Sequence, residues 1–153
     1  MLKMICFDMD GTIADLYNVP NWLALIRQYN PMPYLMAKPM WDMEELITVL
    51  MALQKKGIEI RILTWLSKET TADYDKRVIQ AKIDWLRYYD FPFDEFHGIA
   101  YGVPKERFVN RELRAGETAI LIDDNAEVRK GWHAGATIDP TACNIIEVLR
   151  NLL

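Results

Sequence analysis

The stretch ICFDMDGTIADL, residues 5 to 16, sets Asp8 and Asp10 two positions apart at the end of an apolar run and follows them at once with Gly11 and Thr12. Side chains two apart on an extended segment point the same way, so the two carboxylates can converge on one space. Further along, LIDDN (121–125) ends a second apolar run with Asp123 and Asp124, and ILT (62–64) ends a third with Thr64. In GVPKERF (102–108), Lys105 directly follows Pro104, a residue suited to the first position of a helix. Four carboxylates facing one crevice would repel, and some would have to hold protons. A hard divalent cation resolves the conflict, because Mg²⁺ takes oxygen ligands and commonly combines a few carboxylates with water and phosphate oxygens. The Lys105 ammonium would help to balance a phosphate dianion beside them, while the Thr64 hydroxyl and the backbone N–H of Trp65 would add donors. Phosphoryl transfer asks chiefly for positioning and charge neutralisation, and these residue types supply both.

Such a site needs elements that bring distant positions to one rim. LKMICF (2–7), IEIRIL (58–63), EFHGIA (95–100), TAILI (118–122) and ATI (136–138) read as short strands. Between them lie helical patterns. In 42–57, Met43, Leu46, Ile47, Leu50 and Leu53 recur at three and four spacing, Asp42 can cap the start, and Gly57 suits the left-handed C-terminal position. Val78, Ile79, Ile83 and Leu86 do the same for 71–89, capped by Thr70 or Thr71, and Ile145, Val148, Leu149 and Leu152 for the last ten residues. Strands alternating with helices imply crossovers, hence an α/β fold: a doubly wound, mostly parallel five-stranded sheet covered on both faces. In such a sheet, ligands bind beyond the carboxyl ends of the strands.

One excursion breaks the alternation. Residues 14–41 hold one short amphipathic helix, about 21–29, and then a stretch with Pro31, Pro33 and Pro39. Tyr17, Trp22, Tyr29, Tyr34 and Trp41 argue against disorder there, and they suit either a small core of the insertion's own or a wall against which a base could stack.

The totals set bounds on partners. At 153 residues the chain reads as one domain, and eighteen basic against twenty-two acidic residues, net −4, give no general attraction to a polyanion. Long nucleic acid is not an expected partner. No leader pattern precedes the first strand and no run approaches a bilayer's width, so a cytoplasmic protein without membrane contact is expected, its oligomeric state unreadable. Cys6 and Cys143 lack metal or redox spacing and are expected to be reduced and packed, and His97 and His133 do not make a zinc site.

The signatures DMDGT (8–12), the Thr of ILTW (64), Lys105 and IDDN (122–125) stand in the order and spacing of the haloacid dehalogenase (HAD) superfamily of phosphohydrolases, which the chain resembles over essentially its whole length. DMDGTIADL with a small helical insertion, AKIDWLRYY before the third strand and the paired acids of LIDDN look most like the 5'(3')-deoxyribonucleotidase branch. That resemblance implies a Mg²⁺-dependent phosphomonoesterase in which Asp8 is the nucleophile that forms an aspartyl-phosphate and Asp10 is the general acid and base. It also implies metal ligation by Asp8 and Asp123 side chains and the Asp10 carbonyl, support of the metal shell by Asp124, phosphate binding by Thr64, Trp65 and Lys105, and a cap at 14–41. A (deoxy)nucleoside monophosphate is the favoured substrate, with sugar phosphates and oligonucleotide ends as alternatives. Two rival readings concern single residues: Asp124 as the N-cap of a helix at 126–132, and Lys68 in place of Lys105. A receiver-like phospho-acceptor domain uses similar parts but a different order of acidic motifs, and a non-catalytic binding protein is a third possibility. An EF-hand loop is excluded by the position of its glycine and final Glu.

Overall fold

Strand β1 (Leu2–Phe7) sends alternate side chains to opposite faces, and both faces are dry. Ile5 and Phe7 enter one core, Met4 and Cys6 the other. The computed structural model describes residues 1–153. The chain forms a five-stranded parallel sheet in the order β5–β4–β1–β6–β7, with β4 at Glu59–Trp65, β5 at Glu95–Ile99, β6 at Thr118–Ile122 and β7 at Thr137–Ile138. This is the α/β architecture that the alternation of elements predicts. β1 lies at its centre, hydrogen-bonded to β4 and β6, so the two acidic strand ends are neighbours.

The numbering of helices follows the chain: α1 (Trp22–Arg27), α2 (Met32–Met36), α3 (Met43–Lys55), α4 (Ala72–Tyr88), α5 (Ala126–Lys130) and α6 (Ile145–Arg150). One sheet face is covered by apolar stripes of α3 (Leu46, Leu50, Leu53), α4 (Trp85, Leu86) and α6 (Ile145, Leu149). The other face is closed more thinly, by Val109 among the 3-10 turns at 105–112 and by Trp132 after α5. Capping follows the sequence: the Asp42 side chain accepts from Glu45 N–H and Thr71 from Tyr74 N–H, which decides between Thr70 and Thr71, and Gly57 has φ of +88°.

Residues 14–41 leave and return through a two-stranded antiparallel ribbon, β2 (Ala14–Asp15) with β3 (Lys38–Pro39). The insertion packs on α4 through Leu16, Ile26 and Tyr34 against Tyr74, Val78 and Ala81. It contains a second helix, α2, where the prolines suggested irregular chain. Pro31 precedes that helix and Pro33 lies in its first turn, where a missing N–H breaks no internal bond. Two further expectations are corrected. Pro104 is extended and precedes a 3-10 turn (Lys105–Phe108) rather than opening an α-helix, and Cys143 is exposed, its thiol facing the Asp139 carbonyl at 3.3 Å. Burial pushes the Cys6 thiol up to about 12. No helix is long and apolar enough to cross a membrane.

Candidate active site

β1 ends at Phe7, and the chain then turns on itself so tightly that one carbonyl, that of Met9, accepts from the N–H groups of Thr12, Ile13 and Ala14. Gly11 takes φ of +79° at the crest. The turn leaves the Asp10 carbonyl without a backbone donor and points Asp8 and Asp10 into a cavity of about 600 Å³ that Lys105, Asp123 and Asp124 also line.

Asp8 lies at the floor. One of its oxygens accepts from Lys105 Nζ at 2.9 Å and the other from the Thr12 hydroxyl at 3.1 Å. Lys105 bonds Asp123 as well, at 2.7 Å, and is itself 3% exposed. Its residence between two carboxylates raises its pKa despite burial, so it stays an ammonium. The rival place for this cation, Lys68, is an exposed residue on the rim whose ammonium lies 5.0 Å from the centre of the Tyr101 ring.

The second acidic pair divides its duties. Asp123 is 1% exposed and accepts from Asn125 N–H at 2.9 Å. Asp124 turns toward Thr12, whose hydroxyl lies 3.4 Å from its carboxylate and accepts from its N–H at 3.2 Å. The N-cap of α5 is Asn125, whose side chain accepts from Glu127 and Val128 N–H, so Asp124 is not the cap. Oxygens of Asp8, Asp123 and Asp124 all lie within 4.8 Å of one another. Three carboxylates this close share only one ammonium, Lys105, and the strain is visible in their protonation. Burial and the neighbouring Asp8 charge push Asp124 up to about 7, and burial followed by Asp8 pushes Asp123 upward. A set of hard anionic oxygens with unrelieved repulsion, beside a free carbonyl at Asp10, fits a hard divalent cation such as Mg²⁺.

Asp10 does not join that set through its side chain. Its carboxylate instead accepts from Lys82 Nζ at 3.0 Å, and burial raises its pKa with Lys82 opposing. Lys82, fully buried on α4, also donates to the Thr64 hydroxyl at 2.7 Å and to the Trp65 carbonyl at 3.1 Å. The motif reading passes over Lys82. The one signal was its position between Val78 and Trp85 on the apolar stripe of a helix, where an unpaired charge has no reason to be. Thr64 is fully buried, and β4 continues one residue beyond it to Trp65. The Trp65 indole donates to Val103 and its ring stands 5.0 Å from that of Tyr101 and beneath Lys105.

The insertion supplies the opposite wall with Tyr17, Trp22, Tyr29 and Tyr34, while Trp41 belongs to the stem, its indole donating to the Thr12 carbonyl at 2.7 Å. The aromatic residues of 14–41 thus both pack within the insertion and line the cavity. His97 pairs with Glu95 on β5 and His133 is exposed; neither lines the cavity.

No protein-family model and no curated protein matches the chain. Among solved structures it is similar to the HAD domain of the effector protein Lem4 from Legionella pneumophila, at 14% identity over 99% of this chain and 94% of that one, with a TM-score of 0.52. The inactive mutant of that domain aligns at 15% identity over 100% and 93% of the two chains, again with a TM-score of 0.52. At this identity the likeness establishes a shared HAD-type fold.

Proposed function

We propose that this protein is a Mg²⁺-dependent phosphomonoesterase that works through an aspartyl-phosphate on Asp8, with residues 14–41 as its cap. The observation that carries the reading is the setting of Asp8: a buried carboxylate held on one oxygen by Lys105 and on the other by Thr12, at the floor of a cavity shared with Asp10, Asp123 and Asp124. A HAD-type fold supports it at the level of the phosphatase class.

Asp8 attacks phosphorus, an Asp–O–P bond forms, and the bond from phosphorus to the leaving oxygen breaks while the Asp10 carboxyl gives that oxygen its proton. Burial holds the Asp10 carboxyl above the usual range, which suits a group that must begin protonated. In the second half, water attacks phosphorus, Asp10 takes the water's proton, and the Asp8 carboxylate leaves with the electron pair of the broken bond. Lys105 balances charge throughout. The side chains of Asp8, Asp123 and Asp124 and the Asp10 carbonyl are the groups that would hold Mg²⁺, which when bound offsets the charge of the phosphate oxygens.

Tyr17, Trp22, Tyr29, Trp65 and Tyr101 line the space next to this centre, and such rings take a flat heterocycle well, so the favoured substrate is a (deoxy)nucleoside monophosphate. The test is phosphate release across nucleoside monophosphates, sugar phosphates and oligonucleotide ends, with and without chelator. Release from at least one nucleotide, lost with chelator and in Asp8→Asn while the variant stays folded, is expected. Ordinary turnover in Asp8→Asn would end the nucleophile assignment, and a phosphoprotein stable for minutes without phosphate release would favour a receiver-like acceptor.

A further inference from the structure

Lys82 stands outside the motifs that mark the site, and its surroundings give it a separate task. Its ammonium has three N–H groups, and three acceptors from two other elements take them: Asp10 at 3.0 Å in the turn after β1, and Thr64 Oγ1 at 2.7 Å and the Trp65 carbonyl at 3.1 Å, both on β4. The Tyr34 ring of α2 lies 5.0 Å from the same nitrogen, and the Tyr34 hydroxyl bonds Ser67 at 2.7 Å, so the cap covers the remaining side. A fully buried lysine is costly, and replacing a buried ion pair by apolar side chains of similar volume is often neutral or stabilising. The fold alone gives no reason for a cation on the apolar face of α4.

Resting on the phosphomonoesterase reading above, we infer that Lys82 is a positioning residue which, anchored on Thr64 and the Trp65 carbonyl, aims the Asp10 carboxyl at the leaving oxygen. With every proton committed, Lys82 has none to offer a substrate and acts only through its partners. The two buried lysines therefore divide the centre. Lys105 serves the nucleophile and Asp123, and Lys82 serves the acid.

The experiment compares the wild type, Lys82→Met and Lys82→Gln on two esters with Mg²⁺: an aryl phosphate whose phenolate leaves readily and an alkyl phosphate whose alkoxide must be protonated. Positioned general-acid catalysis is typically worth about 10²- to 10⁴-fold, so Lys82→Met is expected to lose at least about tenfold more kcat/KM on the alkyl than on the aryl ester, with Lys82→Gln in between. A simple loosening of the fold would lower both alike. Equal losses, or none, overturn the inference while leaving the phosphatase reading intact. If neither variant folds, Lys82 belongs to the structure and the inference is equally overturned. A wild type that hydrolyses no ester removes the phosphatase reading and this inference with it.

Discussion

At Gly11 two constraints meet. Its φ of +79° is strained for any side chain, and a Cβ there would stand 2.4 Å from Asp124 Oδ2 and 2.8 Å from the Tyr17 ring. Gly11→Ala is expected to cost about 1–3 kcal/mol in urea unfolding and to lower turnover at least about tenfold, because the carboxylate it displaces cannot retreat from Asp8 and Asp123. Asp124 itself carries a pH dependence. Its carboxyl, near 3.8 in the unfolded chain, is raised to about 7 in the fold, so between those values the folded state holds a proton that the unfolded state has released. Stability of the metal-free protein therefore falls as pH rises through that window. Asp124→Asn removes the repulsion and should raise metal-free stability at pH 8 by roughly 1–2 kcal/mol, less than the full shift implies because the group is partly solvated, while lowering Mg²⁺ affinity. Thermal melts at pH 5 and pH 8 check both signs. The gathering of Asp8, Asp123 and Lys105 was legible because the two acids end apolar runs and Lys105 stands a few residues past a third strand in an ordered motif. Lys82 was not, since a single charge inside a helical stripe carries no motif and its three partners are 17, 18 and 72 residues away.

Among the elements, β4 is pinned from its side chains as well as its backbone. Arg61, 2% exposed, pairs with Glu59 at 2.7 Å, with Glu95 of β5 at 3.2 Å and with Glu112 at the end of the second 3-10 turn. These contacts tie the strand that presents Thr64 to the segment that presents Lys105. Arg61→Ala should cost about 3–5 kcal/mol, whereas Glu112→Gln, at the exposed end of one pair, should cost less than about 1 kcal/mol; denaturant titrations separate the two. Element by element, periodicity located α3 and α4 within a few residues because their apolar stripes are long. It could not locate α2, five residues long, whose prolines read as interruption and whose stability comes from packing on α4.

For the molecule as a whole, a divalent cation held as proposed would compete with protons for the same three carboxylates. Mg²⁺ at about 100 times its dissociation constant should add about 2.7 kcal/mol to unfolding stability at neutral pH, and the increment should shrink toward pH 5 as Asp124 protonates. A Mg²⁺ increment in the melting temperature that does not change with pH would contradict a metal site at Asp124. The central place of β1 could not be read from the order of strands along the chain, yet it decides that Asp8 and Asp123 are neighbours. The insertion is laced to the body by Trp85 to the Ala37 carbonyl, Tyr74 to the Asn30 carbonyl and Trp41 to the Thr12 carbonyl, all between 2.7 and 2.9 Å. A roof riveted at these points cannot swing without breaking its rivets. On the proposed function the aperture, set once at folding, would admit esters by outline as a fixed sieve does, so turnover should track medium viscosity only as far as simple diffusion requires.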